Sequence, residues 1–204
     1  MLVLGDVHGQ YNLLMRLLDK LPHDNICFVG DLIDRGSDSD KVVEFVKSNN
    51  YLIVKGNHED FLIKSKDDNG EINSYIYDMW MYNGGKQTLD SYHGKKDLLE
   101  THREWMKTLP LLYWIDDKTV VSHSYYLPYL GKENDKYFKD YILWERNSNH
   151  KTEGILNIHG HTIIKKVELK NNYVNVDTGG FYYKILSAYD TDTGEVYQVT
   201  EGVL

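Results

Sequence analysis

Three apolar runs near the start of the chain, residues 1–4, 26–29 and 51–54, each lead into glycine followed by Asp, Asn or His. Four-residue runs are too short for helices, and their unbroken hydrophobicity fits strands buried on both faces. The segments between them have helical spacing. Leu13, Leu14, Leu17 and Leu18 share one face of residues 10–20, with Asn12 near the start and Pro22 beyond the end. Val42, Val43, Phe45 and Val46 share one face of a segment ending at Asn49, and Asp38, Ser39 and Asp40 offer caps for it. Strand, helix, strand, helix, strand favours a mostly parallel, right-handed arrangement. Each polar cluster then lies past the carboxyl end of a strand, and the three line one crevice.

The middle cluster, residues 30–36, places Asp31, Asp34 and Arg35 between two glycines. Two acids and a guanidinium this close are costly without partners; a metal would explain the acids and an anionic substrate the arginine. The polar residues delivered by apolar strands form a larger set: Asp6, His8, Asp31, Asn57, His123 and His161. All are oxygen or imidazole ligands, a set suited to divalent manganese, iron or zinc. If a carboxylate bridges, two metals about 3.5–4 Å apart can support in-line displacement at phosphorus. The plainer alternatives are turn capping for Asp6, His8, Asp31, Asn57 and His58, and satisfied strand-end histidines for His123 and His161. For Arg146 the plainer alternative is a surface ion pair or a stacked cation.

The remaining chain is more irregular. A short helix is expected over residues 59–66, then a polar turn at residues 67–70. Residues 72–109 are rich in Tyr, Trp, Met and Leu around Gly84 and Gly85, and read as helices inserted between halves of the sheet, a cap over about 67–110. Residues 111–115 and 119–122 read as a hairpin ending at His123. A polar stretch at 131–140 leads to Trp144-Glu145-Arg146, and a strand at 155–158 delivers His159-Gly160-His161. Apolar runs in the tail suggest antiparallel strands. His159 reads as packing, His23, His93, His102 and His150 as solvated, and the Tyr75, Tyr77, Trp80, Met81 and Tyr82 cluster as core, with some members possible in a substrate groove.

At 204 residues the expectation is a single domain. A net charge of −8, without a dense basic stripe, argues against nucleic acid as a partner. Cys27 is the only cysteine and lies in an apolar run, so it reads as a buried structural thiol. No run is long enough to span a bilayer, and the first motif stands almost at the first residue, so a cytoplasmic protein without a targeting arm or membrane partner is expected.

These motifs resemble the phosphoprotein phosphatase family within the calcineurin-like metallophosphoesterases: GDVHG at 5–9, GDLIDRG at 30–36, GNHE at 56–59, His123 at a strand end and GHT at 160–162. The resemblance is closest to the bacteriophage lambda type, shared with small bacterial serine/threonine protein phosphatases, through Asn83-Gly84-Gly85 with Thr88-Leu89, and through Trp144 and Arg146. It implies an α/β fold, an αββα sandwich of two mixed sheets flanked by helices, with a small helical cap. It also implies two divalent ions, with manganese expected and iron or zinc as alternatives. Asp6 and His8 would hold one ion and Asn57, His123 and His161 the other, with Asp31 bridging. Arg35 and Arg146 would bind phosphoryl oxygens while a bridging water attacks phosphorus. His58 would protonate the leaving group, oriented by Asp34.

The implied activity is hydrolysis of phosphoserine or phosphothreonine in proteins or peptides, with phosphotyrosine also open, by a monomer. The nearest rival is a symmetrical dinucleoside tetraphosphate hydrolase. That group's first motif resembles GDIQG, and its second carries asparagine at the position of Asp34, so His8 and Asp34 favour the protein phosphatase. A non-catalytic scaffold should have lost ligands, and none is missing. Two departures from the family pattern, Ile163 after GHT and Ser124 after His123, bear on loop shape alone.

Overall fold

The computed structural model describes residues 1–129, 135–146, 153–170 and 172–201. Strands β1 (Leu2–Leu4), β2 (Ile26–Phe28) and β3 (Leu52–Ile53) pair in parallel, in register Leu2 with Ile26 and Cys27 with Leu52. Helices α1 (Tyr11–Leu18) and α2 (Ser39–Ser48) connect them, and α3 (Asn57–Lys64) follows β3. The apolar runs are continuous because successive residues face different interiors. Leu2, Leu4, Ile26, Phe28 and Ile53 pack in the layer containing α1 and α2, whereas Val3, Cys27, Val29 and Val54 pack against a second sheet. The Cys27 thiol is fully buried there, and burial pushes its pKa up to about 12, so it is unreactive.

The second sheet contains β4 (Leu112–Trp114), β5 (Thr119–Ser122), β6 (Leu156–His159), β7 (Glu168–Lys170) and β8 (Tyr173–Asn175), in the order β4-β5-β6-β8-β7. Strands β9 (Ile185–Asp190) and β10 (Val196–Thr200) return to the first sheet, giving β10-β9-β1-β2-β3. Two mixed five-stranded sheets flanked by helices are thus the observed architecture. The tail is not uniformly antiparallel. β7 pairs antiparallel to β8, as β10 does to β9, but β8 lies parallel to β6 because the chain reverses through β7 and re-enters between β6 and β7.

The helical insertion comprises α4 (Ser74–Trp80), a π-helical turn at Met81–Gly85, α5 (Lys86–Ser91) and α6 (Lys96–Lys107). It stands beside the first sheet rather than between halves of one sheet, and Trp80 and Met106 enter the α1–α2 layer. Helix α7 (Lys136–Trp144) occupies part of the stretch that reads as polar. Its Phe138, Ile142 and Leu143 pack on Leu111 and Leu112, and Phe138 and Ile142 form an i, i+4 pair that lysines and aspartates obscure in sequence. His102 is buried, not solvated: Tyr92 Oη lies 2.6 Å from Nδ1 and Glu44 Oε2 2.9 Å from Nε2. His150 lies outside the described residues, and His23 and His93 are exposed. Among the described residues, no helix is long and apolar enough to cross a membrane.

Candidate active site

The carboxyl ends of β1, β2, β5 and β6 and the start of α3 meet at one point, so both sheets contribute to it. Glycine makes the approach possible: a Cβ on Gly160 would collide with the Asp6 carboxylate, which accepts from His161 N–H at 3.2 Å. The loops are stitched together through backbone. Val7 and His8 N–H donate to the Asp31 carbonyl at 3.1 and 2.9 Å, and Gly9 N–H donates to that of Leu32 at 2.8 Å. His8, Asp31, Asp34, Arg35 and His161 all have positive φ, between 46° and 72°. Such conformations cost non-glycine residues free energy and persist where surrounding bonds fix them.

Asp6, His8, Asp31, Asn57, His123 and His161 are all buried, and the structure brings all six to this point. Asp31 Oδ2 lies 3.4 Å from His123 Nε2 and 3.6 Å from His8 Nε2. It belongs to two potential ligand groups, one with His123 and His161, the other with His8 and His58, a placement suited to a shared ligand. The Asp6 carboxylate accepts the His161 N–H beside these groups, and the group around His8 also contains His58.

Hydrogen bonds at the far ring nitrogens orient these side chains. His8 Nδ1 donates to the Ile33 carbonyl and His123 Nδ1 to that of Val29, both at 2.8 Å, leaving each Nε2 an inward-facing acceptor. His123 Nε2 then faces Asn57 Oδ1 at 2.8 Å, with His161 Nδ1 at 2.9 Å from the same oxygen. Converging lone pairs repel unless a cation or proton lies among them. The oxygen and imidazole set therefore fits divalent metal ions.

Burial lowers the pKa values of His8, His123 and His161, that of His161 to about 2. Burial alone would raise Asp31, but the surrounding imidazoles outweigh it and hold its carboxyl far below the usual range. Asp6 is pushed up by burial and by the nearby carboxylates of Asp177 and Asp31.

Asp177 is absent from the set that the sequence suggests. It is buried, accepts from Gly179 N–H at 2.9 Å, and is pushed to about 6, mainly by burial. A weaker sequence signal for it exists: the run from Val174 to Val176 leads into Asp177-Thr178-Gly179, an acid at a strand end with its glycine after it rather than before it. Glu59 is a second residue whose structural part the motif reading misses. Its carboxylate, fully buried, accepts from the amides of Asp31, Leu32 and Gly56 at 2.8–2.9 Å.

His58 Nδ1 donates to Asp34 Oδ2 at 2.6 Å, with both residues buried. Burial works against the imidazolium, but Asp31 and Asp34 outweigh it and raise the His58 pKa. Arg35 lies against two ring nitrogens, Nη1 at 2.5 Å from His8 Nε2 and Nη2 at 2.9 Å from His58 Nε2. Arg146 Nη1 donates to the His161 carbonyl at 3.2 Å. Both arginines line a cleft of about 410 Å³ with His161, Ile163, Tyr182 and Tyr183. The Ser124 hydroxyl donates to the Glu145 carbonyl and so ties the His123 strand end to the segment carrying Arg146. His159 lies between Tyr125 and Tyr173 as a packing residue, with ring centroids 5.8 and 5.7 Å away.

The family model for calcineurin-like phosphoesterases matches residues 1–192. An asymmetrical bis(5'-nucleosyl)-tetraphosphatase PrpE of Anoxybacillus flavithermus is 29% identical, over 87% of this chain and 84% of its own. Serine/threonine-protein phosphatase 2 of Escherichia coli is 27% identical, over 87% of this chain and 86% of its own. A crystal structure bearing a provisional diadenosine tetraphosphatase assignment superposes with a TM-score of 0.70 at 18% identity, covering 100% of this chain and 94% of that one.

Proposed function

We propose, since this chain belongs to the calcineurin-like phosphoesterase family, that it is a serine/threonine protein phosphatase working with two divalent ions, manganese foremost. The observation that carries this reading is the buried His58–Asp34 pair. An alkoxide leaving group, as from phosphoserine, is strongly basic and needs a proton. A polyphosphate leaving group is weakly basic and gains little from one.

In this reading Asp31 is shared between two ion sites, with His8 and Asp6 on one side and Asn57, His123 and His161 on the other. Divalent ions held by these residues would supply Lewis-acid chemistry, lowering the pKa of a bound water and offsetting charge on the phosphoryl oxygens. Arg35 and Arg146 face those oxygens. When Arg35 engages the phosphoryl group, its guanidinium leaves His58 Nε2, which then carries the proton for the leaving oxygen. Asp34 keeps Nδ1–H in place and favours the charged ring.

A second reading, hydrolysis of dinucleoside tetraphosphates, draws on the relative of that activity and on the aromatic rings of Tyr82 and Tyr182 beside Arg35, Asn83 and Gln87. Against it, two of the three cap lysines that could receive further phosphates are engaged, Lys86 with Asp90 and Lys95 with Asp40, which leaves Lys96 exposed beside them. Catalytic efficiency of the manganese-loaded enzyme on a phosphoserine peptide and on diadenosine tetraphosphate decides between them. The expected result favours the peptide; a clear advantage for the dinucleotide would overturn the assignment.

A further inference from the structure

The Asp34 carboxylate has more donors than the histidine it orients. Trp80 Nε1–H donates to Oδ1 and Oδ2 at 2.9 and 3.0 Å, and Thr88 Oγ1–H donates to Oδ1 at 2.6 Å. The Thr88 hydroxyl also accepts Asp34 N–H at 2.9 Å, and Ser39 Oγ accepts the same amide at 3.1 Å. Trp80 ends α4 and Thr88 lies on α5, so the donors come from the two sides of the π-helical turn in the inserted helices. That turn also reaches Arg35, whose N–H donates to the Gly84 carbonyl at 3.1 Å. Gly84 has φ +104°, and a Cβ there would press on the Arg35 backbone at 2.7 Å.

Trp80 is 1% exposed and Thr88 and Asp34 are 0% exposed, so water cannot replace either donor. The Asp34 backbone has φ 72°, a conformation with few intrinsic restraints in its favour. Thr88 engages Oδ1 alone and so leaves Oδ2 to face the imidazole, while Trp80 spans both oxygens and holds the carboxylate in place. We infer that Trp80 and Thr88 are positioning residues for proton donation: through Asp34 they set the orientation of His58, so the inserted helices control leaving-group protonation as well as flanking the cleft. This rests on His58 being the general acid.

The test compares Thr88→Val, Thr88→Ser and Trp80→Phe with His58→Asn, each loaded with manganese. Substrates are a phosphoserine peptide, with a poor leaving group, and 4-nitrophenyl phosphate, with a good one. General acid catalysis contributes roughly 100- to 10,000-fold, so misplacing the acid should cost Thr88→Val roughly 10- to 100-fold in kcat on the peptide and less than about threefold on nitrophenyl phosphate. Thr88→Ser, which keeps the hydroxyl, should retain most of the peptide activity. Adding Thr88→Val to His58→Asn should cost little more, because both act through one group. Equal losses on both substrates, or full additivity with His58→Asn, would overturn the inference while leaving the acid assignment intact. If His58→Asn itself loses equally on both substrates, the acid assignment fails, and the inference with it. Trp80→Phe leaves space in the core; if it does not fold, the two Thr88 variants decide the matter.

Discussion

Glu59 holds Asp31 by the backbone: its Oε2 accepts the Asp31 N–H at 2.9 Å. The same carboxylate accepts from Gly56 and Leu32, so a helix side chain fixes the strand end that presents Asp31. Replacing Glu59 with Gln turns an amide donor toward backbone donors. The expected cost is about 1–3 kcal/mol of stability and roughly 10- to 100-fold in metal affinity. Urea denaturation and manganese titration measure the two effects; unchanged affinity would show that the ligand loop orders itself without Glu59.

Metal analysis of the purified protein should return two divalent ions per chain, and chelation should abolish activity. Asp31→Asn should weaken both sites together because its carboxylate belongs to both candidate ligand groups. Loss of several kcal/mol of transition-state stabilisation corresponds to about 100-fold or more in kcat/KM. An active protein that never holds more than one ion would refute the paired site.

Gly160→Ala tests the packing of the two sheets at the site. Its Cβ would displace the Asp6 carboxylate, so metal content and activity should fall while circular dichroism stays that of the parent. Retention of both ions in this variant would show that Asp6 is not needed as a ligand.

The pH dependence of stability carries the mark of His159. Burial depresses its pKa to about 4, below the unfolded value of about 6.5. The folded state therefore resists a proton that the unfolded state accepts. This contribution is fully present above pH 6.5 and is lost as pH falls toward 4. For metal-free protein, moving from pH 7 to pH 5 should remove about 2 kcal/mol through this group. His159→Gln should lose less over the same interval, measured as the difference between denaturation midpoints at the two pH values. An identical acid slope in parent and variant would place the sensitivity elsewhere.

The candidate ligands are readable in the sequence because each stands shortly past an apolar run, all but His123 beside a glycine. The alternation of Val3 and Cys27 into one layer, and Leu2 and Leu4 into another, explains why those runs have no period-two signal of their own. Trp80 and Thr88 are not readable as partners of Asp34, since the contacts span 46 and 54 residues and local pattern carries no information on them. His102 reads as solvated for a related reason. A polar helix segment hides one buried position, and Glu44, which sits against that histidine, lies on a different helix. In α7 the spacing of Phe138 and Ile142 is present, but charged neighbours mask it.

The meeting of the two sheets has a consequence for the life of the protein. Asp31 hangs from the first sheet and His123 and His161 from the second, so an ion held among them ties the layers together and binds the folded state alone. At a free concentration one hundred times its dissociation constant, such an ion adds about 2.7 kcal/mol against unfolding. Scarcity of the metal would then open the chain to proteases as well as idle it, and the amount of protein surviving in a cell would follow the supply of the ion.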